Sequence, residues 1–220
     1  MKNVLIVHAH PEPNSFNSAL KDCAFETLKA LGNNVQVSDL YAMNFNPIGG
    51  KADFLSLEKE EYFKYQAEQV HAFQNNLFAQ DVKEELDKLM WCDVLIFNFP
   101  LWWFGLPAIL KGWVDRIFAM GAVYGAGKGV YDNGFFKGKQ AFLCITTGGP
   151  EIAYGATGKN GELDTILFPI QHGMFYFTGF TVLEPFISFS PVRISNEERQ
   201  AELDRYKIFL SELEKKKVVY

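Results

Sequence analysis

Hydrophobic and polar positions alternate along this chain in two distinct periods. Asn3 to His8 is a short continuous apolar run, the form taken by a strand buried on both faces. A polar turn follows from His10 to Ser15. Phe16, Ala19, Leu20, Cys23, Ala24, Leu28 and Leu31 then repeat at the three-four spacing of an amphipathic helix. Asn14 or Ser15 is placed to cap that helix, and Gly32 to end it. Val35 to Leu40 reads as a second strand, so the first forty residues predict a βαβ unit with parallel pairing.

Tyr41 to Gln80 is polar, aromatic-rich and irregular, with a helical pattern around Tyr62 to Phe73, and reads as an insertion over one face. A helix from Asp81 to Met90 leads into Asp93 to Phe99, the strongest strand pattern in the chain. Pro107 opens the next helix, where its missing N–H is no loss, with Ile109, Leu110, Trp113, Val114, Ile117 and Phe118 on the buried face. A strand within Lys139 to Thr146 runs into the turn Thr146-Thr147-Gly148-Gly149-Pro150. A helix near Thr165 to Phe175, a strand around Thr181 to Ile187 and a charged helix from Asn196 to Lys215 complete the order. Five strands alternating with helices predict an α/β fold: a doubly wound parallel sheet covered on both faces, in one domain spanning residues 1–220.

Val94 to Leu110 carries no charge, but Asn98, Pro100, Gly105 and Pro107 divide it, so strand, loop and helix start are expected rather than a membrane span. The formal net charge of -5 argues against nucleic acid as the main partner. Cys23, Cys92 and Cys144 fit neither a disulfide framework nor a thiolate metal cage, and the N-terminal apolar run is too short for a secretory signal, so a cytoplasmic location is expected. Aromatic residues reach 15%, enough either to fill a large core or to line a pocket for a flat ligand.

Ligands of open α/β sheets bind outside the carboxyl ends of the strands, which singles out the loops at residues 10–17, 100–106 and 146–161. The first has neither the dinucleotide glycine fingerprint nor a phosphate loop. Ser15, Asn17 and the helix-start amides are able to hold a phosphate there, or Asn14 and Ser15 serve only as caps. His8 and His10 lack a third ligand nearby, so no metal site is expected; a structural role or a cofactor hydrogen bond suits them better. Leu101-Trp102-Trp103-Phe104-Gly105 forms either a wall against a planar ring or part of the core.

Set side by side, these segments resemble the NAD(P)H quinone dehydrogenases, DT-diaphorase-like flavoproteins with a flavodoxin-like fold. The resemblance rests on Ala9-His10 with Ser15-Phe16-Asn17, on Ser38 to Pro47, on Phe99-Pro100-Leu101 with Trp103-Phe104-Gly105, on Pro107 to Trp113, on Thr146 to Gly149, on Pro169-Ile170-Gln171 and on Gly179-Phe180. It implies a homodimer that binds FAD in preference to FMN, accepts hydride from NADPH or NADH and passes it to a quinone. By position, His10, Ser15, Phe16 and Asn17 would hold the pyrophosphate and ribityl side. Pro100, Leu101, Trp102, Trp103 and Phe104 would border the flavin ring, with Thr146, Thr147, Gly148, Gly149 and Tyr154 at its pyrimidine side. Arg199 and Leu203 would lie near the adenosine. Tyr154, Asn160, Gly148 and Gly149 are the implied catalytic group, and Trp103, Phe104, Tyr124 and Phe177 the implied substrate walls, Phe177 reaching across the dimer.

The chain departs from the family pattern at several of these places. Asn160 stands where the family has a histidine that handles protons with the tyrosine, Lys64 where it has a glutamine near the adenine, and Trp102 where it has a polar residue. Two other readings share the fold: a one-electron flavodoxin-type carrier, and a flavin-bound regulatory subunit.

Overall fold

The computed structural model describes all 220 residues. The strands are β1 (Asn3–His8), β2 (Asn34–Asp39), β3 (Val94–Pro100), β4 (Gln140–Thr147), β5 (Thr181–Val182) and β6 (Phe186–Phe189). The helices are α1 (Phe16–Ala30), α2 (Tyr65–Asn75), α3 (Gln80–Trp91), α4 (Ala108–Ile117), α5 (Leu163–Ile170) and α6 (Asn196–Ser211). All named strands pair in parallel in the order β2-β1-β3-β4-β5, and β6 also pairs with β4.

Because neighbouring side chains on a strand point to opposite faces, each continuous apolar run feeds two cores. Leu5, Val7, Leu95, Phe97, Leu143 and Ile145 face one side, where α3, α4 and α5 contribute Leu86, Leu110, Trp113 and Leu167. Val4, Ile6, Val94, Ile96, Phe142 and Cys144 face the other, against Leu20, Ala24 and Leu28 of α1 and Tyr206, Phe209 and Leu210 of α6. Each of the helices α1 and α6 opens on a serine cap. Ser15 Oγ accepts from Ser18 N–H, while Ser195 and Glu198 form a reciprocal capping box.

Two expected elements take a different form. The last strand is broken into β5 and β6, so two short strands share the fifth place in the sheet. Pro185 lies in the break and has no N–H to give to the ladder. Beside β5, Val182 exchanges backbone hydrogen bonds with the C-terminal segment at Val219 and Tyr220. The helix expected near Thr165 to Phe175 holds its α form only over α5 and then widens into a π-helix at Gln171–Tyr176. Pro169 sits at that transition and breaks the normal i to i−4 ladder.

The irregular insertion is held by a buried ion cluster. Arg116 on α4 donates from Nε to Asp53 Oδ1 at 2.9 Å and from Nη1 to the Asn46 carbonyl at 2.8 Å, and it pairs with Asp81 at 2.7 Å. Tyr65 hydroxyl donates to the second oxygen of Asp53 at 2.5 Å. Burial, followed by this carboxylate contact, pushes the Tyr65 phenol well above its ordinary range. The cluster joins the insertion to the sheet's helical layer, so Arg116→Met leaves Asp53 buried without its partner. A destabilisation of about 3–5 kcal/mol is expected. It should appear as a lower urea midpoint with an unchanged slope.

Candidate functional site

The chain passes from β1 outward to β2, then crosses back to lay β3 on the other side of β1. The loops leaving β1 and β3 therefore diverge, and a crevice opens at the carboxyl ends of these strands. It widens into a cavity of about 790 Å³. The structure brings His10, Ser15, Phe16, Asn17, Pro100, Leu101, Trp102, Trp103, Thr146, Thr147, Gly148, Arg199 and Leu203 together in its lining.

At one end stands the start of α1. The first N–H groups of a helix have no acceptor within it, and those of Phe16 and Asn17 find none elsewhere in the chain. Asn17 is buried; its Oδ1 accepts from Thr146 Oγ1 at 2.7 Å, while its Nδ2 has no partner. A buried amide donor without an acceptor costs free energy unless a ligand supplies one. His10 Nδ1 accepts the Glu12 N–H at 3.0 Å, which places the hydrogen of the neutral ring on Nε2. Positive dipole, free amides and the Asn17 donor together could hold an anion.

Opposite lies a turn closed by Gly105 N–H donating to the Trp102 carbonyl at 3.0 Å. Its central residues, Trp103 and Phe104, both have left-handed backbones, with φ of 50° and 59°. Asparagine and glycine are the residues that ordinarily tolerate such a turn, so two aromatics there represent stored strain. Most other large rings are buried or partly buried, but Trp102, Trp103 and Phe104 are 42%, 96% and 49% exposed. That contrast decides against the core: these three rings stand at the surface.

The turn after β4 supplies the third side. Ser190 Oγ donates to the Gly148 carbonyl at 3.2 Å and Thr147 Oγ1 to the Gly149 carbonyl at 2.8 Å. The two carbonyls are held, and the two glycine N–H groups have no acceptor in the chain. A side chain at Gly148 would meet nothing within 4 Å, whereas one at Gly149 would strike Asn160 Nδ2 at 3.1 Å and the Tyr154 ring at 3.4 Å. Tyr154 and Asn160 thus converge beside Gly149; none of the three lines the cavity, which this turn reaches through Gly148.

Asn14, from a loop already singled out, also lines the cavity, as do Ala19, Pro191, Val192, Asn196 and Gln200, which were not expected there. The last two belong with Arg199 and Leu203 to one face of α6, at spacings of three, four and seven. The capping box at Ser195 and Glu198, just after the final strand, is the sequence signal that marks this helix start. Arg199 is pinned by donating to the Pro191 carbonyl and to Asn196 Oδ1, both at 2.7 Å. Phe104 stands half-exposed beside the cavity rather than in its lining. A single chain does not bring Tyr124 and Phe177 to Trp103. They meet each other, ring centres 5.9 Å apart, in a second cavity of about 330 Å³ with Tyr65, Val114 and Met174. Lys64 lines neither cavity and lies over the Tyr62 ring. No helix is long and apolar enough to cross a membrane.

Comparison with known proteins agrees with this architecture. A family model described as flavodoxin-like fold matches residues 2–210. The chain is 47% identical over 200 residues to ribosyldihydronicotinamide dehydrogenase [quinone] of Pongo abelii, covering 90% of this chain and 86% of that protein. It is 45% identical over 190 residues to NAD(P)H dehydrogenase [quinone] 1 of Cavia porcellus, covering 86% and 69% respectively. Among solved structures, a protein of Klebsiella pneumoniae described as a candidate quinone reductase superposes with a TM-score of 0.95 at 38% identity, over 100% of this chain and 87% of that one.

The strained turn yields a test in which stability and binding move apart. Trp103→Gly removes an exposed ring from a left-handed backbone, so the unfolding free energy of the ligand-free protein should hold or rise by up to about 1 kcal/mol. Affinity for a flat ligand in the cavity should fall. Denaturant unfolding and titration with flavin check the two limbs.

Proposed function

The chain belongs to the flavodoxin-like fold family and, within it, to the NAD(P)H quinone dehydrogenases. On that premise we propose that it is a flavin-dependent NAD(P)H:quinone oxidoreductase transferring hydride in two alternating half-reactions. The observation that carries the reading is the meeting, in one cavity, of an anion-binding helix start, an exposed aromatic turn and a glycine turn with free amides.

The residues fit a flavin nucleotide. The orphaned Asn17 Nδ2 and the free amides of Phe16 and Asn17 suit its phosphate side, and the open space over Gly148 admits a ring edge close to backbone. A bound flavin supplies a ring that takes hydride from a dihydronicotinamide and delivers it to a quinone. Everything else is work for the protein. Trp103 and Phe104 hold flat reactants in place and exclude water. The unused Gly148 and Gly149 N–H groups would donate to a bound flavin and stabilise negative charge on it, as oxyanion-hole donors do. Tyr154 hydroxyl is the proton-bearing group, and Asn160 Nδ2, on the same side of Gly149, donates a hydrogen bond without titrating.

FAD suits the cavity better than FMN, because Asn196, Arg199, Gln200 and Leu203 carry the lining well past the α1 end, toward where an adenosine would lie. We take the second cavity as the missing roof. In a homodimer, Tyr124 and Phe177 of one subunit would close over Trp103 and Phe104 of the other, giving nicotinamide and quinone a shared slot. NADPH, NADH and smaller dihydronicotinamides of the kind named in the relatives are the proposed donors. The cytoplasm is the proposed location. The relatives named as dehydrogenases favour an enzyme over a one-electron carrier or a regulatory subunit.

Anaerobic NADPH or NADH should bleach the flavin-loaded protein, and a small quinone should restore the colour; failure to bleach at saturating flavin and donor would reject the enzyme. Tyr154→Phe should lower turnover by about 10²-fold, at the low end of general acid–base effects. Asn160→His introduces a group titrating near 6.5, so turnover should acquire a pH-dependent limb between about pH 5.5 and 7.5 that the unaltered protein lacks. Phe177→Asp should shift the sedimenting mass from twice 25.0 kDa toward 25.0 kDa, with a rise in quinone KM.

A further inference from the structure

His8 ends β1 in full burial, paired in register with Asp39 on β2 and with Asn98 on β3. Its Nδ1 lies 2.6 Å from Asn98 Oδ1, and Asn98 Nδ2 donates to Cys144 Sγ at 3.3 Å. With the amide oriented in this way, Asn98 Oδ1 can only accept, so the hydrogen of a neutral His8 sits on Nδ1 and the Nε2 lone pair faces Ser18 Oγ at 3.2 Å. Ser18 Oγ is also 3.0 Å from Ser15 Oγ and 3.0 Å from the Glu12 carbonyl. Ser15 caps α1 and lines the cavity. A continuous hydrogen-bonded path thus runs from a buried imidazole to the anion-binding wall, beside the unpartnered, buried Asn17 Nδ2.

Resting on the flavin reading above, we infer that His8 is a positioning residue that couples anion binding in the cavity to proton uptake, so that the flavin nucleotide binds more tightly as pH falls. Each hydroxyl has one hydrogen, which fixes the two states. With His8 neutral, Ser18 donates to Nε2 and accepts from Ser15, and the Ser15 hydrogen is used inside the path. With His8 protonated, Nε2–H donates to Ser18, Ser18 donates in turn to Ser15 Oγ, and the Ser15 hydrogen is free to turn toward the cavity. The same event places a positive charge two hydrogen bonds behind Ser15.

The groups around the ring set its resting state. Burial draws the His8 pKa below its ordinary value; the Asn98 contact and Asp39 on β2 oppose this, while Lys21 on α1 and His10 beyond β1 add to it. Cys144 on β4 faces the ring only through Asn98. His8 is therefore neutral at neutral pH, and a phosphate at the α1 end favours its charged form. By linkage, protonation strengthens phosphate binding by the same factor.

FAD is the probe, because its pyrophosphate does not titrate between pH 5.5 and 8. Its dissociation constant, measured by fluorescence with the flavin-free protein, should be about fivefold lower at pH 5.5 than at pH 8, equivalent to a His8 shift of somewhat under one pKa unit. His8→Gln should flatten that profile, with His10 unchanged in both proteins. Ser18→Ala, which cuts the path while leaving His8 in place, should flatten it as well. Calorimetry in buffers of different ionisation enthalpy should show a fraction of a proton taken up near pH 6 by the unaltered protein and less by either variant. Flavin binding with parallel profiles, or with no proton uptake, would overturn the role of His8 alone. Absence of flavin binding at every pH would overturn the cofactor reading and this inference together. If His8→Gln does not fold, Ser18→Ala and the proton uptake of the unaltered protein still decide the question.

Discussion

The ligand-facing end of this molecule depends on one reversal in the path of the chain, where β2 is laid on one side of β1 and β3 on the other. Parallel pairing puts the carboxyl ends of β1, β3 and β4 at one edge of the sheet, and the reversal keeps the loops that follow them from crossing the gap. The start of α1, the aromatic turn and the glycine turn are thereby brought around one space. Each contributes backbone donors that its own element cannot use. A cavity assembled in this way has its polar groups oriented before any ligand arrives, which is the property that redox chemistry on a cofactor demands of its protein.

Local irregularities gather at that edge for related reasons. Trp103 and Phe104 occupy backbone conformations that cost free energy, and the rest of the fold, with the Trp102–Gly105 turn bond, keeps them there. The break at Pro185 divides the fifth strand, leaving β6 to pair with the upper half of β4 up to Thr147, next to the Gly148 turn. Ser190, immediately beyond β6, then holds the Gly148 carbonyl. Imperfect sheet geometry thus fixes the orientation of the glycine amides.

Charge is distributed with equal economy. The buried Arg116 cluster anchors the insertion outside this cavity, while the cavity itself holds few ionisable groups: His10 and Arg199 in the lining and His8 behind it. An anion entering that region meets dipoles and neutral donors first. On the inference drawn above, protons become the partner of binding, since a buried group able to change its charge, the His8 imidazole, is linked through Ser18 to the helix cap.

Much of this was legible in the residues alone. The apolar runs at Val4 to Val7, Val94 to Phe99 and Ala141 to Ile145 specify strands covered on both faces, because no other element places consecutive apolar side chains in two separate cores. The three-four spacing of α1 and the cap at Ser15 fix where the first helix starts, and with it one end of the cavity. Short-range chemistry is sufficient for these features. It is not sufficient for the widening of α5 into a π-helix, the split at Pro185 or the contribution of Pro191, Val192, Asn196 and Gln200 to the lining, which depend on how distant elements pack. The pairing of Tyr124 with Phe177 in a second cavity, and the path from His8 through Ser18 to Ser15, were likewise settled only by the tertiary structure. A pattern of neighbours along a chain determines which face is buried, but the partner of a buried polar atom is chosen by whatever the fold brings within 3 Å of it.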